Sequence, residues 1–306
     1  MRINFWALVA LFAATMNFAA KELPAQVRDP DKLVQLPAES MLGHYTILPN
    51  GNFPRPSLKQ RHEDLRRGLA NPKFQGGELR GTIGYPASAS LGLVLHDDHF
   101  GPIVDKLTQL APLDVNDVYK LVASSEVDIR AFEKICDFEQ LRDLTLVVEP
   151  DIDGGAGSKA LERLKELRYL SLACVDSCVF GSKRFCEAIC SLSHLKYLTI
   201  PCEKLSDKDV SILATHPSLE IIYLRSRRPV LGRESLLALS KTPRLKELFI
   251  VCTDDVRDAD VVRIAEKPTL EALIVATNAP LTCLEFLQQR RPECIYFFQP
   301  PLNELQ

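Results

Sequence analysis

The chain has no basic surplus. Its 306 residues carry 37 lysines and arginines against 40 aspartates and glutamates, for a formal net charge of −3. A protein that grips nucleic acid through the phosphate backbone usually carries such a surplus, so no nucleic-acid partner is expected. Motifs of common chemistries are missing as well: there is no Gly-x-Ser-x-Gly elbow and no His-Glu-x-x-His helix. Methionine (3) and tryptophan (1) are scarce, whereas leucine occurs 46 times. With 46% hydrophobic and 25% charged residues, the chain has ample material for a core, which excludes wholesale disorder. Length alone suggests about two ordinary domains.

Four stretches invite a chemical reading, and each is answered by a plainer one. His96-Asp97-Asp98-His99 offers good metal donors but no distant matching set, and reads as a polar loop. Asp151-Ile152-Asp153-Gly154-Gly155 begins like a calcium loop with Glu162 at the twelfth place, yet its sixth position is Ala156 and its fifth is Gly155, which suits a Gly-rich turn. Gly154 to Lys159 lacks the Gly-Lys-Ser/Thr order of a phosphate loop. Cys174-x3-Cys178 and Cys186-x3-Cys190 are spaced too loosely for a specific four-thiolate zinc site. Most of the nine cysteines sit in apolar periodic segments and read as buried thiols, with a disulfide among Cys178, Cys186 and Cys190 as the alternative in an oxidising compartment. No catalytic residue, metal or cofactor is expected, and the chain reads as non-enzymatic.

At the amino terminus, Arg2 is followed by an uncharged apolar run over residues 3–20. This is the layout of a secretory signal, with a cut expected near Ala20, although Phe18 stands where a small residue is preferred. An uncleaved signal-anchor, the one route to a membrane, and a buried first helix are the alternatives. The expected location is therefore secreted, periplasmic or otherwise extracytoplasmic. Residues 21–90 hold eight prolines and one expected helix, from Ser57 to about Ala70, and read as a linker plus an amino-terminal cap.

From Leu141 the chain repeats itself. Leu141-x-x-Leu144-x-Leu146, Leu167-x-x-Leu170-x-Leu172, Leu195-x-x-Leu198-x-Ile200, Leu219-x-x-Ile222-x-Leu224, Leu245-x-x-Leu248-x-Ile250 and Leu270-x-x-Leu273-x-Val275 begin 26, 28, 24, 26 and 25 residues apart. Each string has strand spacing, and the stretch after it has helical spacing. In the third unit Ser206 is placed to cap a helix with Asp209, Val210, Leu213 and Ala214 form its apolar face, and Pro217 ends it. Pro243, Pro268 and Pro292 repeat that punctuation. Two fainter units read upstream as Val118-x-x-Leu121-x-Ala123 and Leu91-x-x-Val94-x-His96.

These strings resemble the leucine-rich-repeat family, most closely its ribonuclease-inhibitor-like and cysteine-containing branches, also met in F-box proteins and exported bacterial repeat proteins. The resemblance covers residues 91–298 and is strong from 141, leaving 299–306 as a tail. One feature departs from the family: the ninth-position Asn or Cys is replaced by Glu149, Val175, Glu203, Arg227, Thr253 and Asn278, while Cys174, Cys202 and Cys252 take the eighth position. The resemblance implies an α/β fold, a curved right-handed solenoid with a parallel concave sheet, helices on the convex side and an irregular amino-terminal cap. The apparent two domains thus become one array plus a cap.

With positions 1, 4 and 6 of each string turned inward, positions 3, 5 and 7 project from the other face of the sheet. Position 3 then reads Asp143, Tyr169, Tyr197, Ile221, Glu247 and Ala272, and position 5 reads Thr145, Ser171, Thr199, Tyr223, Phe249 and Ile274. Tyr169, Tyr197, Ile221, Tyr223 and Phe249 are expected to form an aromatic-aliphatic patch that binds a protein partner, with Arg225 beside it. The simpler reading is that the rings cover one another as cross-strand pairs. Arg225, Arg227 and Arg228, and farther on Asp254, Asp255, Asp258 and Asp260, are expected to be solvated or to pair with each other. The expected function is macromolecular recognition through the concave face of an exported protein. The alternatives are an intracellular adaptor or inhibitor of the F-box or ribonuclease-inhibitor kind, and an enzyme using His44, His62, His96 and His99 of the cap.

Overall fold

A computed structural model describes residues 32–36, 43–48, 75–78, 82–85, 90–95, 102–174, 182–226 and 228–299. The apolar run at 3–20, the helix expected from Ser57, the His96–His99 stretch, Cys178 and Arg227 lie outside those residues. The strands are β1 (Lys32–Gln35), β2 (Gly43–Leu48), β3 (Gln75–Glu78), β4 (Thr82–Tyr85), β5 (Ser90–Leu95), β6 (Val118–Val127), β7 (Asp143–Val148), β8 (Tyr169–Ala173), β9 (Tyr197–Pro201), β10 (Ile221–Arg225), β11 (Glu247–Val251), β12 (Ala272–Ala276) and β13 (Ile295–Gln299). The helices are α1 (Ile103–Gln109), α2 (Ile129–Ile135), α3 (Gly155–Leu161), α4 (Lys183–Cys190), α5 (Asp207–Leu213), α6 (Arg233–Leu239), α7 (Asp258–Ala265) and α8 (Leu284–Arg290).

Each leucine string becomes a strand at its third to seventh positions, followed by a helix, and successive strands pair in parallel from β5 through β13. The leading residues Leu141, Leu167, Leu195, Leu219, Leu245 and Leu270 are at most 1% exposed. They share one continuous core with the fourth- and sixth-position residues and with helix residues such as Phe132, Leu161, Phe185, Leu213, Leu239 and Ile264. Successive helices from α1 to α7 touch one another, and Leu287 of α8 enters the same core, so the helices form one layer on one face of the sheet. No single strand-helix unit can bury its own apolar side, and stacking supplies the missing partner.

Local chemistry agrees with this arrangement. Ser206 and Asp209 form a reciprocal capping box at the start of α5, as their spacing predicts. Asp128 caps α2 by accepting from Ala131 N at 2.7 Å, and Ser182 caps α4 by accepting from Phe185 N at 3.2 Å. The carbonyl of a leading leucine receives a donor from the next unit: the Ser218 hydroxyl reaches Leu195 O at 2.9 Å, and that of Thr269 reaches Leu245 O at 2.6 Å.

His216, just before Pro217, belongs to the same stitching. It is fully buried, its Nδ1 accepts from Ser218 N at 3.2 Å, and its Nε2 therefore donates to Leu192 O at 3.1 Å. Burial holds its pKa below the ordinary imidazole value. The unfolded chain thus binds this proton first, so stability is full above pH of about 6.5 and is lost as pH falls from there toward the folded pKa. Urea unfolding between pH 8 and 5.5 is expected to show this decline in the native protein and a shallower one in His216→Gln; equal slopes would remove His216 as the cause.

Two expectations need correction. The upstream string Leu91-x-x-Val94-x-His96 is out of phase, because Leu91, Leu93 and Leu95 enter the helix-side core. A register shift between Leu91 and Gly92 pairs Leu91 with Val118 but Leu93 with Leu121, one residue short of the standard string. A single-residue slip sends alternate side chains to the opposite face, and Val94 lies there. The cap also contains regular structure: β2 joins the main sheet antiparallel between β5 and β3, and β1 pairs with β4 in a separate two-stranded sheet.

Candidate recognition face of the sheet

The register aligns the third- and fifth-position residues in rows across the strands. One row runs Lys120, Asp143, Tyr169, Tyr197, Ile221, Glu247, Ala272, and the other Val122, Thr145, Ser171, Thr199, Tyr223, Phe249, Ile274. Tyr169 stacks on Tyr197 with ring centroids 4.0 Å apart. Tyr197 meets Tyr223 edge-on at 5.4 Å, and Tyr223 meets Phe249 edge-on at 6.2 Å. Val251 and Ala276 complete this second apolar cluster, with Ile221 and Ile274 packed against it; it includes no helix residue. The four rings are 5–9% exposed, while Ile221 and Arg225 are half-buried. The cross-strand spacing of about 4.8 Å lets neighbouring rings cover each other, as the simpler reading anticipated. Aromatic pairs of this geometry add about 0.5–1.5 kcal/mol each beyond area burial.

Polar groups flank the ridge. Lys120 Nζ lies 3.5 Å from Asp143 on one side, and on the other the Tyr223 hydroxyl donates to Glu247 at 2.7 Å. Glu247 was visible in its row but was not assigned a role from sequence; its pairing with Tyr223 depends on the register between β10 and β11. At the strand entrances, Glu220 bridges Lys196 (3.2 Å) and Lys246 (2.6 Å). Although burial works to raise its pKa, the two ammonium groups hold the Glu220 carboxyl below its ordinary value.

The acidic residues beyond β11 do a different job from the one expected. Asp258 in α7 accepts from Thr282 N (2.8 Å), Cys283 N (3.1 Å) and the Thr282 hydroxyl (2.6 Å), so it binds the backbone at the start of α8. Burial opposes its ionisation, but these donors keep its pKa below the ordinary carboxylate value. Asp207 likewise accepts from Gly232 N at 3.2 Å at the start of α6. Asp260 takes Arg233 Nε at 2.8 Å, and Asp255 accepts from Arg233 N at 3.2 Å. Among the described residues the basic partner is thus Arg233. Carboxylates at one helix start hold a neighbouring helix start, where unpaired N–H groups and the helix dipole favour negative charge.

Cys174 is disulfide-bonded, whereas Cys136, Cys186, Cys190, Cys202, Cys252, Cys283 and Cys294 are thiols. Burial pushes the Cys190 thiol up to about 11 and that of Cys283 up to about 12, which makes both poor nucleophiles at neutral pH. Among the described residues no group of three or more His, Cys, Asp or Glu is placed to hold a metal ion, and no helix is long and apolar enough to cross a membrane. No family model matches the chain, and a search of the curated proteins finds no match.

Proposed function

We propose that the chain is a right-handed, curved leucine-rich-repeat solenoid whose helix-free, concave face recognises another protein, and that it is exported and not an enzyme. The carrying observation is the aromatic cluster on that face, built from strand residues alone and separate from the structural core. A floor of rings fixed by their neighbours presents apolar area at little cost in side-chain entropy, and the half-buried Ile221, Ile274 and Arg225 at its crest supply the contact.

The test uses the ridge. Tyr197→Ala combined with Tyr223→Ala is expected to weaken a captured protein partner by about a thousandfold, since truncating two buried aromatic anchors typically costs 2 kcal/mol or more each. An unchanged affinity removes this face as the site. Export is tested by the mature amino terminus: a chain beginning near Lys21 in an extracytoplasmic fraction supports it, and an intact Met1 in the cytosol refutes it.

The seven thiols among the described residues favour a second reading, an intracellular inhibitor of the ribonuclease-inhibitor kind, because thiols persist in a reducing compartment. The disulfide at Cys174 favours the first.

A further inference from the structure

We infer that the rim of the sheet where β7, β8 and β9 begin docks an acidic segment of a protein. This surface stands apart from the aromatic ridge and does not rest on it. The second positions of the leucine strings form a ladder along the rim, because the N–H of each donates to the carbonyl of the one before. Arg142 bonds Tyr119 at 2.8 Å, Arg168 bonds Arg142 at 2.9 Å, and Lys196 bonds Arg168 at 2.9 Å. The ladder continues with Glu220 on Lys196, Lys246 on Glu220 and Glu271 on Lys246. From Lys196 onward the signs alternate, and Glu220 takes the lysines on both its sides. Toward the amino terminus they do not: Arg142, Arg168 and Lys196 are three bases in succession. Like charges side by side on neighbouring strands destabilise a sheet. Arg168 is exposed and has no ion pair or side-chain hydrogen bond among the described residues, so packing does not demand arginine there. A glutamate at that position would continue the alternation.

The neighbours of these bases decide what kind of partner. Arg142 is half-buried, with its guanidinium carbon 4.5 Å from the centre of the Tyr119 ring, a stacking that holds the fork in place. Of its guanidinium nitrogens, Nε alone is buried without a hydrogen-bond partner among the described residues, which leaves the Nη groups for a ligand. Lys165 is exposed in the turn before β8, while Glu139 and Glu166, in the turns before β7 and β8, form no ion pair among the described residues. Residues 139–142, 165–168 and 193–196 thus hold four bases against two acids, in a chain of net charge −3. Such a modest local surplus suits a ligand with a few negative charges in a short span. Neighbouring strands lie about 4.8 Å apart, so the three bases cover about 10 Å, the length of about three extended residues. Aspartates or glutamates within that length meet arginine forks whose geometry matches a carboxylate. The phosphates of a nucleic acid would instead continue past Lys196 onto Glu220 and the acidic remainder of the chain.

The experiment follows the fluorescence anisotropy of labelled synthetic peptides of equal length, one acidic, one basic and one uncharged, and of a single-stranded oligonucleotide, on the purified protein. Native protein is expected to bind the acidic peptide best, and to lose it between about 0.1 and 1 M salt, where the screening length falls from about 10 to about 3 Å. Arg142→Gln combined with Arg168→Gln is expected to bind that peptide about tenfold more weakly, as two lost charged contacts imply. Arg168→Glu is expected to lose binding altogether and yet to melt at a higher temperature than the native protein, because the new carboxylate pairs with Arg142 and Lys196. A lower melting temperature in Arg168→Glu would mean that arginine serves the fold there, and overturns the inference. Equal binding by the native protein and the glutamine variant overturns it as well, as does a preference for the oligonucleotide or no binding of the acidic peptide.

Discussion

Gly157→Ala is expected to lower stability by about 3 kcal/mol, at the upper end of what overpacking usually costs, while Gly155→Ala two residues earlier stays near or above the native value. A Cβ at Gly157 would lie 1.8 Å from Ile152 O and 2.8 Å from Ile152 C, with Ile129 Cδ1 at 3.4 Å. The obstacle is backbone, in the short helical turn Pro150–Asp153 that leads into α3, so relief requires moving the turn against the core. At Gly155 the nearest atom is Arg184 Nη1 at 3.2 Å, the far end of a flexible side chain. There alanine gains about 0.5–1 kcal/mol of helix propensity and displaces little. Thermal unfolding followed by circular dichroism compares the two. Equal behaviour would mean that α3 does not sit against this turn.

Leu198→Ala is expected to cost about 3 kcal/mol, within the 2–5 kcal/mol range of leucine truncations in packed cores. Leu198 is fully buried in β9 and lies on the helix side of the sheet, between Leu170 of β8 and Ile222 of β10. In a stacked array each unit is supported only by its neighbours, so a cavity here weakens two interfaces at once. Ile221→Ala, in the next strand but on the opposite face and only half-buried, is expected to cost less than about 1 kcal/mol. Denaturant titration of both variants checks the alternation. A larger loss at Ile221 than at Leu198 would reverse the assignment of the two faces.

Much of this arrangement can be read from spacing. The six leucine strings locate β7 to β12, and the period-two rule pairs Tyr169 with Tyr197 and Tyr223 with Phe249, because parallel neighbours of equal phase need no further information. The Ser206 cap is legible for the same reason, since its partner is three residues away. What is not legible depends on contacts between units. The phase of β5 is altered by a register shift against β6, which leaves no mark in the string itself. Asp258 resembles a surface acid until the start of α8 is placed against it, 24 residues further on. Cys174 shares its string position with the buried thiols Cys202 and Cys252, and nothing in that position separates a bridged cysteine from an unbridged one.

Recognition by the helix-free face is tested most directly by placing a photo-activatable cross-linker at two positions of the otherwise native protein. Ile221 stands half-buried at the crest of the aromatic ridge, and Phe286 lies on the helix layer, 46% exposed and next to Arg290. Irradiation with the captured partner is expected to join it to the probe at 221 and not to the probe at 286. Cross-linking from 286 with none from 221 would contradict recognition through the sheet.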